Sequence, residues 1–198
     1  MHEKTPPQLR GHLVTLRPFQ KLTEFDFYWS LVSHPETRRY LGFAPHTILE
    51  ELHFLDARTA AANAMVMTVN NCADGEPKPV GTISLDNIDI VNGRAELSRI
   101  IIVPECRGKG YARDACATLC QYAFSASLKL RLIYACVLDP NQAGRGQLES
   151  VGFNCRATLP EWDRVGSLYV DEHVLILRRD DFDASRLFNP QKQKNRTA

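Results

Sequence analysis

The stretch Ile100-Ile101-Ile102-Val103-Pro104-Glu105-Cys106-Arg107-Gly108-Lys109-Gly110-Tyr111-Ala112 constrains this chain more than any other. Its four branched apolar residues read as a buried strand that Pro104 closes. Beyond the glycines, Ala112, Ala115, Cys116, Leu119, Ala123 and Phe124 form an apolar stripe, which predicts a helix over 111–127. At such a strand–turn–helix junction the first helical N–H groups have no acceptor behind them, and the helix dipole favours an anion. Gly108 and Gly110 remove side-chain bulk, so a diphosphate can approach the backbone. Arg107, Lys109 and Arg113 offer counter-charge. The same glycines also suit an ordinary solvated turn. The spacing is neither Gly-x-x-x-x-Gly-Lys-Ser/Thr nor Gly-x-Gly-x-x-Gly.

The rest of the chain supplies the partners of this unit. Strands are predicted over 13–18, 65–69, 80–85, 94–103, 130–137, 153–156 and 167–178. Further helices are predicted over 22–34, 47–62 and 141–151, the last capped by Gly152. Asn92-Gly93 marks a hairpin turn, Asp74-Gly75 lies in another, and 161–166 reads as a third. The order predicts a mixed sheet with helices on its faces. A single domain is expected over 13–182, with a flexible N-terminus (1–12) and a polar, basic tail (183–198).

At 198 residues the chain can close a core without staples, and 44% hydrophobic with 24% charged residues is ordinary for a soluble protein. A net charge of +1 gives no footing for direct nucleic-acid binding. No run approaches a membrane span, and the polar start lacks a secretory h-region. The six cysteines are irregularly spaced and read as reduced thiols of a cytoplasmic protein. The histidines are scattered and no Cys-x-x-Cys occurs, so no metal site is expected. Cys116 and Cys120, four apart, read as core packing.

The glycine segment resembles the acyl-CoA motif of GCN5-related N-acetyltransferases (GNAT), Gln/Arg-x-x-Gly-x-Gly/Ala, with Arg107, Gly110 and Ala112 at its fixed positions. Leu16-Arg17-Pro18, Val80-Gly81-Thr82-Ile83, Asn141-Gln142-Ala143, Leu148-Glu149-Ser150-Val151-Gly152-Phe153 and Tyr169-Val170-Asp171-Glu172 resemble further segments, in the expected order. The set is especially similar to the branch of ribosomal-protein-alanine N-acetyltransferases and related small-molecule enzymes. The resemblance implies an α/β (α+β) fold, with a mostly antiparallel sheet of about seven strands and about four helices.

It also implies acetyl-CoA as cofactor. The diphosphate would sit on the amides of Gly108, Lys109, Gly110, Tyr111 and Ala112, with Arg107 and Lys109 near the phosphates. The pantetheine arm would pair with the strand edge Ile101, Ile102 and Val103, and Asn141 would bind it. The strand over 130–137 would splay away and leave a notch for the thioester. A primary amine would attack directly, with an N–H near Ile102 as oxyanion donor.

Glu96 is the leading base, because alternation places Glu96, Ser98, Ile100 and Ile102 on one face. It equally suits a substrate ammonium or a surface pair with Arg94 or Arg99. His173 is a second candidate base, or a structural histidine. Asp171 and Trp162 are candidate acceptor-binding residues, with turn capping and core capping as their alternatives.

Leu148 stands where many relatives carry a tyrosine that protonates the thiolate, leaving water or Tyr134. Gly144 and Gly146 predict a looser turn after Asn141. The expected activity is N-acetyl transfer to an aminoglycoside or other small cationic amine, which carries a link to antibiotic resistance. A protein N-terminus is the alternative acceptor, and a non-catalytic acyl-CoA-binding domain the alternative class. Scattered carboxylates at Glu24, Asp26, Glu50, Glu51, Glu161, Asp163 and Asp171 tilt the acceptor towards a cation. A homodimer is common among relatives.

Overall fold

The adjacent antiparallel strands 79–89 and 94–102 form the spine of the molecule, in a computed structural model that describes residues 6–41, 47–72 and 76–187. In chain order the elements are β1 (Leu9–Arg10), β2 (Val14–Pro18), α1 (Lys21–Ser33), α2 (Pro35–Arg38), α3 (Ile48–Ala60), β3 (Met65–Asn71), β4 (Pro79–Asp89) and β5 (Arg94–Ile102). Then follow α4 (Tyr111–Phe124), β6 (Leu132–Leu138), α5 (Gln142–Val151), β7 (Asn154–Val165), β8 (Leu168–Arg178) and α6 (Ala184–Leu187). The strands make one sheet ordered β1-β2-β3-β4-β5-β6-β8-β7. Its pairings are antiparallel except β5–β6, which is parallel. The expected mixed, mostly antiparallel architecture is therefore present, with eight strands.

Each face of the sheet carries its own core. On the α4 and α5 face, Leu16, Met67, Ile83, Leu97, Ile102, Leu119 and Leu177 are buried together. On the α1 and α3 face a smaller cluster joins Phe19, Tyr28, Leu31, Leu55, Val66 and Ile101. β3 lies between the two, which is why Met65–Asn70 is buried throughout rather than alternating. α3 begins with a Thr47-x-x-Glu50 capping box, in which the Thr47 hydroxyl accepts from the Glu50 amide and the Glu50 carboxylate accepts from the Thr47 amide.

Three expectations change. Residues 1–12 were expected to be flexible, yet Leu9–Arg10 pair with Leu16 and Thr15. The cause is Asp114 in the first turn of α4, a buried carboxylate that accepts from the amides of His12, Leu13 and Val14 at 3.2, 2.7 and 2.9 Å. The expected tail begins with a helical turn, where Leu187 packs on the main core and Phe182 meets Phe124 at 5.5 Å between ring centroids. The turn expected over 161–166 is narrower, with only Gly166 of that range in the β7–β8 turn. β7 runs to Val165, and its slip in register between Leu159 and Asp163 is taken up at Glu161, whose φ is +51°. Asp74, Gly75 and the tail from 188 lie outside the described residues.

Candidate active site

β5 and β6 pair only over Arg94–Glu96 against Leu132–Tyr134, although β5 runs to Ile102 and β6 to Leu138. Beyond Glu96 the strands separate, as the resemblance implied, and a cleft of about 990 Å³ opens between them. Its walls include Ile100, Ile101 and Ile102 of β5, Ala135, Cys136 and Val137 of β6, the start of α4, and the segment from Pro35 to Leu41.

At one end of the cleft the loop from Arg107 turns into α4. Gly108 has φ +74° and Gly110, the residue before the helix, φ +85°, a region that strains any residue with a Cβ. Open space surrounds Gly108: a Cβ built there meets nothing within 4 Å. Asp114 is the first residue of α4 shown donating back to the loop, to the Gly110 carbonyl at 3.0 Å, so the amides of Tyr111 and Ala112 lie ahead of it at the helix mouth. Glycine turn, open space and helix dipole fit the diphosphate of acetyl-CoA.

The charged residues of the loop are arranged differently from expectation. Arg107 lines the cleft, and its guanidinium donates to Glu36 at 2.5 Å, to the Thr37 hydroxyl at 3.4 Å and to the Ile102 carbonyl at 3.2 Å. This ties α2 to the cofactor edge of β5 through partners 70 and 71 residues away. Lys109 and Val103 do not line the cleft, and the Val103 amide is spent on the Val80 carbonyl at 2.9 Å. Because strand amides alternate sides, the Ile102 amide points towards the notch.

Asn141 lines the cleft and caps α5, its side-chain oxygen accepting from the Gly144 amide at 3.0 Å. Gly144 is thus a close-approach glycine rather than a source of looseness. A Cβ on it would stand 2.6 Å from the Asn141 amide nitrogen. Leu148 is buried against the main core and lines the cleft, and Tyr134 is not among the cleft residues.

The expected parity of β5 is corrected by a bulge. Ser98 pairs with Ser84 but Ile101 pairs with Thr82, so Arg99 and Ile100 together oppose Ile83. Arg99 takes φ +49° there. Glu96 and Ser98 therefore share a face with Ile101, on the α1 and α3 side, and not with Ile102. Register places Glu96, Tyr134, Cys136 and Glu172 on that same face, with Asp163 of β7.

The Glu96 carboxylate accepts from the Asn87 amide at 2.8 Å and from the Tyr134 hydroxyl at 3.5 Å. It lies at the paired base of the notch, one residue before the cleft lining begins at Leu97. Loss of water, then the charges of Asp163 and Glu96, push the Glu172 carboxyl above its ordinary value. Loss of water, then Glu172 and Glu96, push the Cys136 thiol up to about 12, which keeps it neutral. Glu172 and Cys136 were missed in the sequence, and only pairing across β6 and β8 reveals them.

The remaining candidates lie away from the notch wall. His173 is buried on the core side, with Nε2 2.8 Å from Asp139 and Nδ1 3.0 Å from the Thr158 hydroxyl, so both ring nitrogens are occupied. Asp171 accepts from the Glu161 amide at 2.9 Å and thereby holds the β7 bulge. Trp162 is 65% exposed, outside both cores. Glu24 is buried in a fork from Arg17 with a bond from Thr68, and Glu51 is buried against Arg99 and Tyr28, so neither contributes free charge. Among the described residues no group of three or more His, Cys, Asp or Glu is placed to hold a metal, and no helix is long and apolar enough to cross a membrane.

Residues 14–154 match the family model of the acetyltransferase (GNAT) domain. The chain belongs to the GNAT acetyltransferase family. A spermidine N(1)-acetyltransferase of Escherichia coli (strain K12) is 30% identical over 149 residues, 75% of this chain and 77% of that relative. A putative ribosomal N-acetyltransferase, YdaF, of Bacillus subtilis (strain 168) is 40% identical over 98 residues, 48% of this chain and 50% of the relative, so that match spans about half its length. The crystal structure of a spermidine N-acetyltransferase from Vibrio cholerae in complex with CoA and spermine superposes with a TM-score of 0.75 at 22% identity, covering 85% of this chain and 97% of that one. That likeness shows that the two chains share a fold.

Proposed function

We propose that this GNAT domain transfers the acetyl group of acetyl-CoA to a primary amine of a small polycationic acceptor, such as a linear polyamine. The observation that carries the reading is the notch itself. One end is a helix mouth suited to a diphosphate, and its wall includes Cys136, which shares a sheet face with Glu96, Asp163 and Glu172. The name of the Escherichia coli relative supports the acceptor class.

Bound acetyl-CoA supplies an activated acyl carbon, and the residues of the chain do the rest. The Gly108–Ala112 amides hold phosphate, and the Asn141 amide nitrogen remains a donor towards the pantetheine arm. The Ile102 amide faces the notch and stabilises negative charge on the carbonyl oxygen. Glu96 takes the proton of the attacking ammonium. Glu172 and Asp163 hold a second cationic centre of the acceptor. The departing thiolate takes its proton from water, since Leu148 has none to give and the Tyr134 hydroxyl is engaged with Glu96.

Coenzyme A release by purified protein tests this, with acetyl-CoA and a panel of polyamines, aminoglycosides and peptides. The reading requires turnover with polycations above monoamines. A second reading, acetylation of a protein N-terminus, is favoured by the 40% identity to the Bacillus subtilis relative, and turnover on peptides alone would select it.

A further inference from the structure

Arg99 is an arginine in a backbone conformation that suits glycine. Its φ of +49° sits within the β5 bulge, at the point where the strand becomes the wall of the cofactor cleft. Left-handed backbone is unfavourable for a residue with a Cβ, so something must hold it. The side chain leaves the strand towards the α1 and α3 face and is buried there, 8% exposed. Its guanidinium bonds to the Tyr28 hydroxyl of α1, lies 3.1 Å from the Glu51 carboxylate of α3, and stacks 3.9 Å from the Phe54 ring centroid. The Tyr28 hydroxyl also donates to Glu51 at 2.6 Å, which closes the triangle.

We propose that Arg99 is a positioning residue: clamped by Glu51, Tyr28 and Phe54, it holds the β5 bulge in the register that aims the Ile102 amide into the notch. Without the extra residue, alternation from Ser98 would carry Ile102 to the face now occupied by Ile101. Ile101 and Ile102 would exchange cores, and the backbone groups on the cleft wall would be re-aimed with them. The clamp also makes α1 and α3 part of the cofactor site, although neither lines the cleft. The inference rests on the acetyl-transfer reading for its rate measurements, but its structural claim has a readout of its own.

The test compares two substitutions that differ by one methyl group, both in a Glu51→Gln background so that no lone carboxylate stays buried. Arg99→Ala and Arg99→Gly each remove the clamp, but only glycine adopts the left-handed backbone freely. The expected result is that Arg99→Ala lowers kcat and weakens coenzyme A binding, by roughly five- to thirty-fold relative to Arg99→Gly, the equivalent of the left-handed cost for a residue with a Cβ. KM for the amine should differ little between the two. Equal kcat and equal coenzyme A affinity in the two folded variants would overturn the proposal and leave the triangle as core packing. Were the parent protein to release no coenzyme A with any amine, the acetyl-transfer reading would fail instead. The ordering of coenzyme A dissociation constants, from calorimetry, would still decide the role of the clamp.

Discussion

Replacing Gly108 by alanine separates the cost of left-handed backbone from the loss of cofactor space. At φ +74° the new Cβ meets nothing within 4 Å, so the free protein feels only backbone strain. That strain is about 1–2 kcal/mol, which for a domain of this size lowers Tm by roughly 2–8 °C. Gly166, in the β7–β8 turn, is the matched control: φ is +63° and again nothing lies within 4 Å. Gly166→Ala should lower Tm by a similar amount. Only at Gly108 does the methyl group enter the space above the helix mouth, and there the account expects coenzyme A to bind at least about ten-fold more weakly, or about 1.4 kcal/mol. Calorimetric titration of both variants with coenzyme A is the assay. Equal affinities would refute the phosphate cradle, because two glycines of equal strain would then differ in nothing that binding senses.

Glu96→Gln should slow transfer near neutral pH and recover partly at higher pH, as the amine loses its own proton; a pH–rate profile shaped like that of the parent protein would remove Glu96 as base. The Glu172 carboxyl is raised in the folded state, so its ionisation opposes folding: the penalty is absent below the unfolded pKa and grows as pH rises through the folded one. Glu172→Gln should therefore raise Tm near neutral pH, with the gain vanishing below about pH 4, as melting curves at the two pH values would show. His173→Gln should keep the parental pH–rate profile while costing about 1–3 kcal/mol of stability through the lost Asp139–His173–Thr158 link, read by urea denaturation. Asp114→Asn, which weakens acceptance from three backbone amides, should cost about 2–4 kcal/mol by the same measurement and loosen residues 9–14 to hydrogen exchange.

What was legible in the sequence is what local chemistry dictates. Gly108 and Gly110 announce a positive-φ turn because glycine is the residue that favours one, and the stripe from Ala112 to Phe124 announces a buried helix. What was not legible depends on residues far apart in the chain. Arg99 and Glu161 adopt left-handed backbone without being glycine, held by Glu51 and Tyr28 in one case and by Asp171 in the other. One unseen bulge at Arg99 was enough to move Glu96 to the opposite face from Ile102. Arg107 reads as phosphate counter-charge, and its pairing with Glu36, 71 residues away, was not legible. Asp114 offered one readable clue, an acid in the first turn of a helix. That its carboxylate would anchor residues 12–14 depended on the packing of β2 against α4.

The central claim is that the notch between β5 and β6 joins a coenzyme A site to a site for a polycationic amine. Its most direct test is coenzyme A release by the purified protein at saturating acetyl-CoA, with a linear polyamine, an aminoglycoside and a peptide bearing a free N-terminus as acceptors. The account predicts turnover with the polyamine well above that with the peptide, reduced when Glu172 is replaced by Gln. Tight binding of acetyl-CoA with no transfer to any of the three would contradict it.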